Sequence, residues 1–118
     1  MSIEELAGQY TVTGSNQNAE SHTYKGVLIL EVDMHQRVKA KWLINNTQEQ
    51  FGYGFFKDGI LVINFNYKNE NTTFKGVVVY KCLSKDVLDG FWSEKHGDLD
   101  YLGEEQCFRM DKLKEVVN

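Results

Sequence analysis

The side chains in this sequence that are able to do chemistry fall into three sets. His22, His96, Asp98 and Asp100 are competent metal ligands by type. No ligand spacing joins them, and the polar stretches that carry them read as solvated loops. Glu104 and Glu105 are neighbours in a segment that reads as a strand, so they point to opposite faces. One of them must approach the interior, where an unpaired carboxylate is costly; Arg109, four residues beyond Glu105 on the same face, is its expected partner. The third set is aromatic: Tyr24, Trp42, Phe51, Tyr67, Phe74, Trp92 and Tyr101. No serine or cysteine stands in a nucleophile frame, and no GxGxxG or P-loop pattern occurs. Cys82 and Cys107 lack metal-ligand spacing and read as free, buried thiols. No catalytic residue, metal or cofactor is expected, and the aromatic set is the candidate ligand-binding site.

The elements that must position these rings are marked by a stretch written twice. Thr23-Tyr24-Lys25-Gly26-Val27-Leu28-Ile29-Leu30 returns as Thr73-Phe74-Lys75-Gly76-Val77-Val78-Val79-Tyr80, an offset of 50. At that offset Trp42 falls on Trp92 and Phe51 on Tyr101. Such self-similarity suggests two tandem copies of a four-strand unit.

The patterning agrees. Ser2 to Ala7 reads as one helical turn with Ser2 and Glu5 spaced as a capping box. Eight strands follow: 8–13, 24–33, 37–45, 48–56, 60–67, 72–82, 87–95 and 101–110, and a charged tail covers 111–118. Val38, Ala40, Trp42 and Ile44 alternate with Arg37, Lys39 and Lys41; Leu61, Ile63, Phe65 and Tyr67 share a face, as do Leu88, Gly90 and Trp92. Phe51, Tyr53 and Phe55 alternate in the same way, with Phe51 expected inside. Lys57-Asp58-Gly59 is a hairpin signal, because Asp-Gly tolerates positive φ.

Eight strands joined by short connections form an antiparallel meander, and no helix is present to cover its apolar face. Closing the sheet buries that face and removes its edges. The expected fold is all-β: a single domain over residues 1–118, an eight-stranded up-and-down barrel with internally duplicated halves. Glycines inside strands suit its bends and let bulky neighbours approach. Alternation of strand direction places the turns at 34–36, 57–59 and 83–86 at one end. The longer loops, 15–22, 46–47, 68–71 and 96–100, lie at the other.

Composition narrows the function classes. The net charge of −4 leaves no electrostatic footprint for nucleic acid. No apolar run reaches membrane-spanning length, and Met1-Ser2-Ile3-Glu4-Glu5 does not read as a signal peptide. A cytoplasmic location is the resulting expectation.

Gly8-Gln9-Tyr10, just after the helical turn, is similar to the Gly-x-Trp that opens the first lipocalin strand, with tyrosine in place of tryptophan. Arg109 matches the arginine that packs across that aromatic. On these two places, and on a topology spanning the whole chain, the sequence resembles the calycin superfamily of lipocalin-like and avidin-like barrels. It also resembles small bacterial barrel domains of unassigned function. The resemblance implies a Tyr10–Arg109 cap on a closed floor and a ligand mouth at the opposite end.

The reading that follows is a non-enzymatic barrel binding a small hydrophobic or aromatic ligand among Tyr24, Trp42, Phe51, Tyr67, Phe74, Trp92 and Tyr101. Repeat-related rings would face each other across a pseudo-twofold axis. An eight-stranded barrel is just wide enough to be filled by side chains or to hold one small ligand. The alternative is therefore a filled barrel serving as a protein-interaction, inhibitor or immunity module. An isomerase or cyclase ranks third, because no acid–base pair is evident.

Overall fold

The computed structural model describes residues 1–110, so the charged tail at 111–118 lies outside the described residues. Eight strands run in chain order: β1 (Gly8–Ser15), β2 (Thr23–Val32), β3 (Val38–Ile44), β4 (Gln48–Lys57), β5 (Ile60–Asn69), β6 (Thr72–Ser84), β7 (Val87–Glu94) and β8 (Gly103–Arg109). Each pairs antiparallel with the next, and β8 returns to β1, closing the barrel. The expected helical turn is a single 3-10 turn, Ile3–Leu6, whose Glu5 carboxylate accepts the Ser2 backbone N–H at 2.9 Å. No helix of the described residues is long and apolar enough to cross a membrane.

Turn chemistry follows the sequence. Asp58 and Gly59 take φ of 51° and 79°, and Glu70 and Asn71 take 49° and 70°, the paired positive values that match the twist of tight hairpins. Inside, alternation on β3, β5 and β7 delivers Val38, Ala40, Trp42, Ile44, Leu61, Ile63, Phe65 and Leu88 to one core. Cys107 is buried there, Cys82 is half-buried, and both are free thiols.

The offset of 50 appears in the pairing of one hairpin pair. β2–β3 matches Gly26 with Ile44, Leu28 with Trp42 and Val32 with Val38. β6–β7 matches Gly76 with Glu94, Val78 with Trp92 and Cys82 with Leu88, which is the same register moved by 50. The flanking ladders slip. Trp42 faces Gln50 on β4, yet Trp92 faces Gly103 on β8, three beyond the residue 100 that the offset requires. Phe51 and Tyr101 are therefore not structural equivalents: Phe51 pairs with Lys41, and the matching residue Phe91 pairs with Glu104.

The face assigned to β4 is reversed. Phe51, Tyr53 and Phe55 are 48%, 46% and 47% exposed on the outer wall, while Gly52 and Gly54 point inward. The reason is volume. Trp42 and Ile63 lie across Gly52, where a Cβ would collide with both. Similar shelves hold other rings: Tyr24 over Gly14, Phe65 over Gly76, Tyr80 over Gly90 and Trp92 over Gly103. At these two positions the interior is filled from neighbouring strands, so β4 contributes backbone there, while Gln48, Gln50 and Phe56 keep the inward parity and Phe51, Tyr53 and Phe55 stay outside.

The floor is the end where β1 begins and β8 finishes. Tyr10 is fully buried, and its hydroxyl donates to the Leu6 carbonyl at 2.8 Å. The Arg109 guanidinium lies over the Tyr10 ring, 4.8 Å from its centroid. It donates to the carbonyls of Ala7 (2.9 Å), Glu5 (2.6 Å) and Lys85 (2.7 Å), so it fastens the N-terminal turn to the β6–β7 turn. Its Nε aims at the Lys85 carbonyl (3.0 Å) while lying 3.1 Å from Asp86 Oδ1, which makes the Asp86 contact one of charge more than alignment. Burial pushes the Tyr10 hydroxyl up to about 12, against the pull of Arg109.

Candidate functional site

At the opposite end the barrel contains a cavity of about 200 Å³, lined by Tyr24, Trp42, Phe65, Tyr67, Val78, Trp92, Glu94 and Glu105 among others. Four of the expected site residues, Tyr24, Trp42, Tyr67 and Trp92, line it. Strand alternation explains their convergence: each stands on the inward parity of β2, β3, β5 or β7 near its mouth end. Phe74 has inward parity on β6 but stays at the rim, stacked on Tyr67 with centroids 5.2 Å apart and capped edge-on by His96 at 4.8 Å. Phe51 lies on the outer wall, for the reason given above. Tyr101 is 43% exposed in the loop before β8, its N–H bonded to the Asp98 carbonyl. Neither belongs to the cavity.

The rings pack edge to face along one wall. Phe65 sits 6.2 Å from Trp42 and 6.1 Å from Trp92, both close to perpendicular, and lies nearly parallel to Tyr67 at 6.4 Å. Tyr24 meets Trp92 at 6.5 Å. Such arrangements suit the quadrupole of aromatic rings.

The polar centre of the cavity is Glu105, 5% exposed. Its Oε1 accepts the Tyr24 hydroxyl at 2.7 Å, and Tyr24 in turn accepts the Trp92 indole N–H at 2.9 Å. Oε2 accepts the Trp42 indole N–H at 3.1 Å and the Tyr80 hydroxyl; the Cys107 thiol reaches the same oxygen at 3.9 Å. Arg109 is not its partner. Four residues of extended strand span roughly 13 Å, and Arg109 is engaged at the floor. Of the adjacent pair, Glu105 enters and Glu104 stays outside, as alternation requires.

Burial dominates the electrostatics here. It raises the Glu105 carboxyl above the ordinary carboxylate range, opposed by the hydrogen bonds of Tyr80, Tyr24, Trp42 and Cys107. Burial, reinforced by the Glu105 charge, pushes the Tyr24 hydroxyl far up. Tyr80 is driven well up by burial, then by Cys107 and Glu105. Nearer the rim, Tyr67 donates to both oxygens of Glu94, at 2.7 and 3.0 Å, and burial with that hydrogen bond raises its pKa too. The cysteines are poor nucleophiles: burial lifts Cys82 to about 11 and Cys107 well above its usual value.

Sequence reasoning passed over Tyr80, Glu94, Gln17 and the inward Gln48 and Gln50. Parity could have found two of these groups. Tyr80 follows Phe74, Gly76 and Val78 at every second position, and Gln48 and Gln50 precede Gly52 and Gly54 in the same way. Gln17 carries no periodic signal. It is 4% exposed in the β1–β2 loop, where its amide donates to Ser93 Oγ and the Asp98 carbonyl, both at 3.1 Å, and accepts the Glu94 N–H at 2.9 Å. The histidines and aspartates weighed as metal ligands do not gather: His22 pairs with Glu20 and His96 packs on Phe74.

No protein-family model matches the chain, and no curated protein does either. Solved structures do match. A redesigned beta barrel, mFAP1, bound to DFHBI superposes with a TM-score of 0.71 at 17% identity, covering 92% of this chain and 98% of that one. The redesigned beta barrel b11L5F_LGL gives 0.73 at 16%, covering 93% and 96%. A third, EF1p2_mFAP2b bound to DFHBI, gives 0.65 at 14%, covering 92% and 97%. The likeness is one of fold: these are small antiparallel barrels like this one.

Proposed function

We propose that this chain is a non-enzymatic, lipocalin-like barrel that binds a small, mostly apolar or aromatic molecule at its mouth, in the cytoplasm. The observation that carries the reading is the cavity of about 200 Å³ walled by Trp42, Phe65, Tyr67 and Trp92, with Tyr24 and Glu105 as convergent polar groups. Barrels of the same fold that hold DFHBI support it by analogy. The shared register of the β2–β3 and β6–β7 hairpins favours descent from a duplicated unit.

A second reading has its own observation. On the outer wall Phe55, Val62, Val79 and Phe91 lie in register across β4 to β7, an apolar band in which both phenylalanines are over 40% exposed. Such a band suits a protein partner, as an inhibitor or immunity module would require.

Indole fluorescence separates the two. Fatty acids, bilins, flavins, biotin, haem and small aromatic amines are titrated while emission is followed, with Trp92→Phe as the control. The ligand-binding reading expects at least one saturable response that weakens in Trp92→Phe. Silence across the panel, together with a protein captured from native cytosol and lost in Phe91→Lys, replaces it with the interaction reading.

A further inference from the structure

We infer that the molecule this cavity selects carries a positive charge: a small organic cation, such as a protonated amine on an apolar or aromatic body. The inference rests on the ligand-binding reading above and adds the chemical class of the ligand.

Three features of the lining carry it. The first is its charge. The cavity wall contains two carboxylates, Glu94 and Glu105, and no lysine, arginine or histidine. Second, neither carboxylate has a counter-ion among the described residues. Among the described residues the ion pairs join His22 to Glu20, Lys41 to Glu49 and Arg109 to Asp86. Glu105 is held by the neutral donors of Tyr24, Trp42, Tyr80 and Cys107, and Glu94 by the neutral hydroxyl of Tyr67. A carboxylate buried without a cation is costly, and a cation placed near it recovers much of that cost. On Oε1 of Glu105, Tyr24 is the one donor among the described residues, leaving room for a further hydrogen bond at that oxygen.

The third feature is the wall itself. Trp42, Phe65, Tyr67 and Trp92 present ring faces and edges within one small volume, and ring faces attract a desolvated cation. An anionic ligand meets the opposite field, with two carboxylates and nothing to neutralise it. Fatty-acid-like carboxylates are therefore the class this mouth should reject.

The test uses three molecules of similar size and differing charge: 2-phenylethylammonium, 2-phenylethanol and 3-phenylpropionate, titrated calorimetrically into the full chain at neutral pH. The ammonium is expected to bind at least about tenfold more tightly than the carboxylate, a gap of ~1.4 kcal/mol, with the alcohol between them. Glu105→Gln should shrink that gap, and so should Glu94→Gln. The rim position of Glu94 keeps the test open if the deeper variant fails to fold. Carboxylate or alcohol binding as tightly as the ammonium overturns the inference, and so does a gap that both variants leave unchanged. If none of the three binds while a molecule of the fluorescence panel does, the inference fails alone. Silence from both experiments removes the ligand-binding reading and the inference with it.

Discussion

The floor and the mouth of this barrel are assembled from the same kinds of parts, tyrosine beside a charged side chain of β8, with Arg109 and Glu105 four residues apart on one face. Their surroundings differ. Arg109 spends its hydrogen bonds mainly on backbone carbonyls of two separate turns, so it acts as a fastener. Glu105 has side-chain partners, Tyr24, Trp42 and Tyr80, that frame an open volume. A charge tied to backbone secures the fold, whereas a charge ringed by neutral side chains around a cavity leaves a field for something else to answer. The contrast sets a fastened, structural floor against a mouth to which the ligand-binding proposal applies.

Removing the fastener should have the largest effect. Arg109→Met takes the guanidinium from the Glu5 and Ala7 carbonyls and the Asp86 charge and leaves the Lys85 carbonyl with the Tyr10 hydroxyl alone, and urea denaturation is expected to show a loss of about 3 kcal/mol or more. Ligand affinity per folded molecule should stay unchanged. A loss under about 1 kcal/mol would erase the distinction between the two ends.

The mouth should reveal itself through pH. The folded state holds the Glu105 carboxyl above its ordinary value of 4.5, so the associated stability is fully present below that value and is lost as pH rises through the raised one. The slope from one such group reaches at most ~1.4 kcal/mol per pH unit. Denaturation measured in steps from about pH 4 upward should show this decline in the parent, a flatter profile in Glu105→Gln and an unaltered slope in Arg109→Met. Parallel profiles for parent and Glu105→Gln would mean that the four hydrogen bonds fully offset burial.

Tyr24→Phe should give the smallest change. It removes the acceptor of the Trp92 N–H and the donor to Glu105 Oε1, for about 1 to 2 kcal/mol. Trp92 emission should shift as its indole loses that partner, while the floor contacts of Tyr10 stay intact. Emission identical to the parent would show that the relay does not hold the indole in place.

Much of this arrangement could be read from residue patterns. Strict alternation made β3, β5 and β7 legible, and the strand count with short connections made closure legible. The floor was readable as well, because Gly8-Gln9-Tyr10 and Arg109 fall at opposite ends of strands that must meet. β4 was misread because hydrophobicity alone does not say which face is inside; Gly52 yields its interior volume to Trp42 and Ile63, Gly54 yields its own to the β5 backbone at Val62 and Ile63, and both are properties of other strands. Glu105 could be placed inside but not partnered, since its donors come from β2, β3 and β6, between 25 and 81 residues away along the chain. Tyr101 was mistaken for a strand residue because the β7–β8 connection runs longer than the offset of 50 allows.

Gln17 gives the mouth a handedness. Its side chain ties the β1–β2 loop to the end of β7 and the loop beyond it, so that sector of the rim is a hinge post, closed by side-chain and backbone bonds. Across from it, Asn45 and Gln48 border the cavity at the β3–β4 turn, where Asn45 exchanges its hydrogen bonds with Lys25 along its own wall. On the ligand-binding proposal, entry is therefore expected on the asparagine side. Gln50, Trp42 and Glu105 all line the cavity behind that side of the rim.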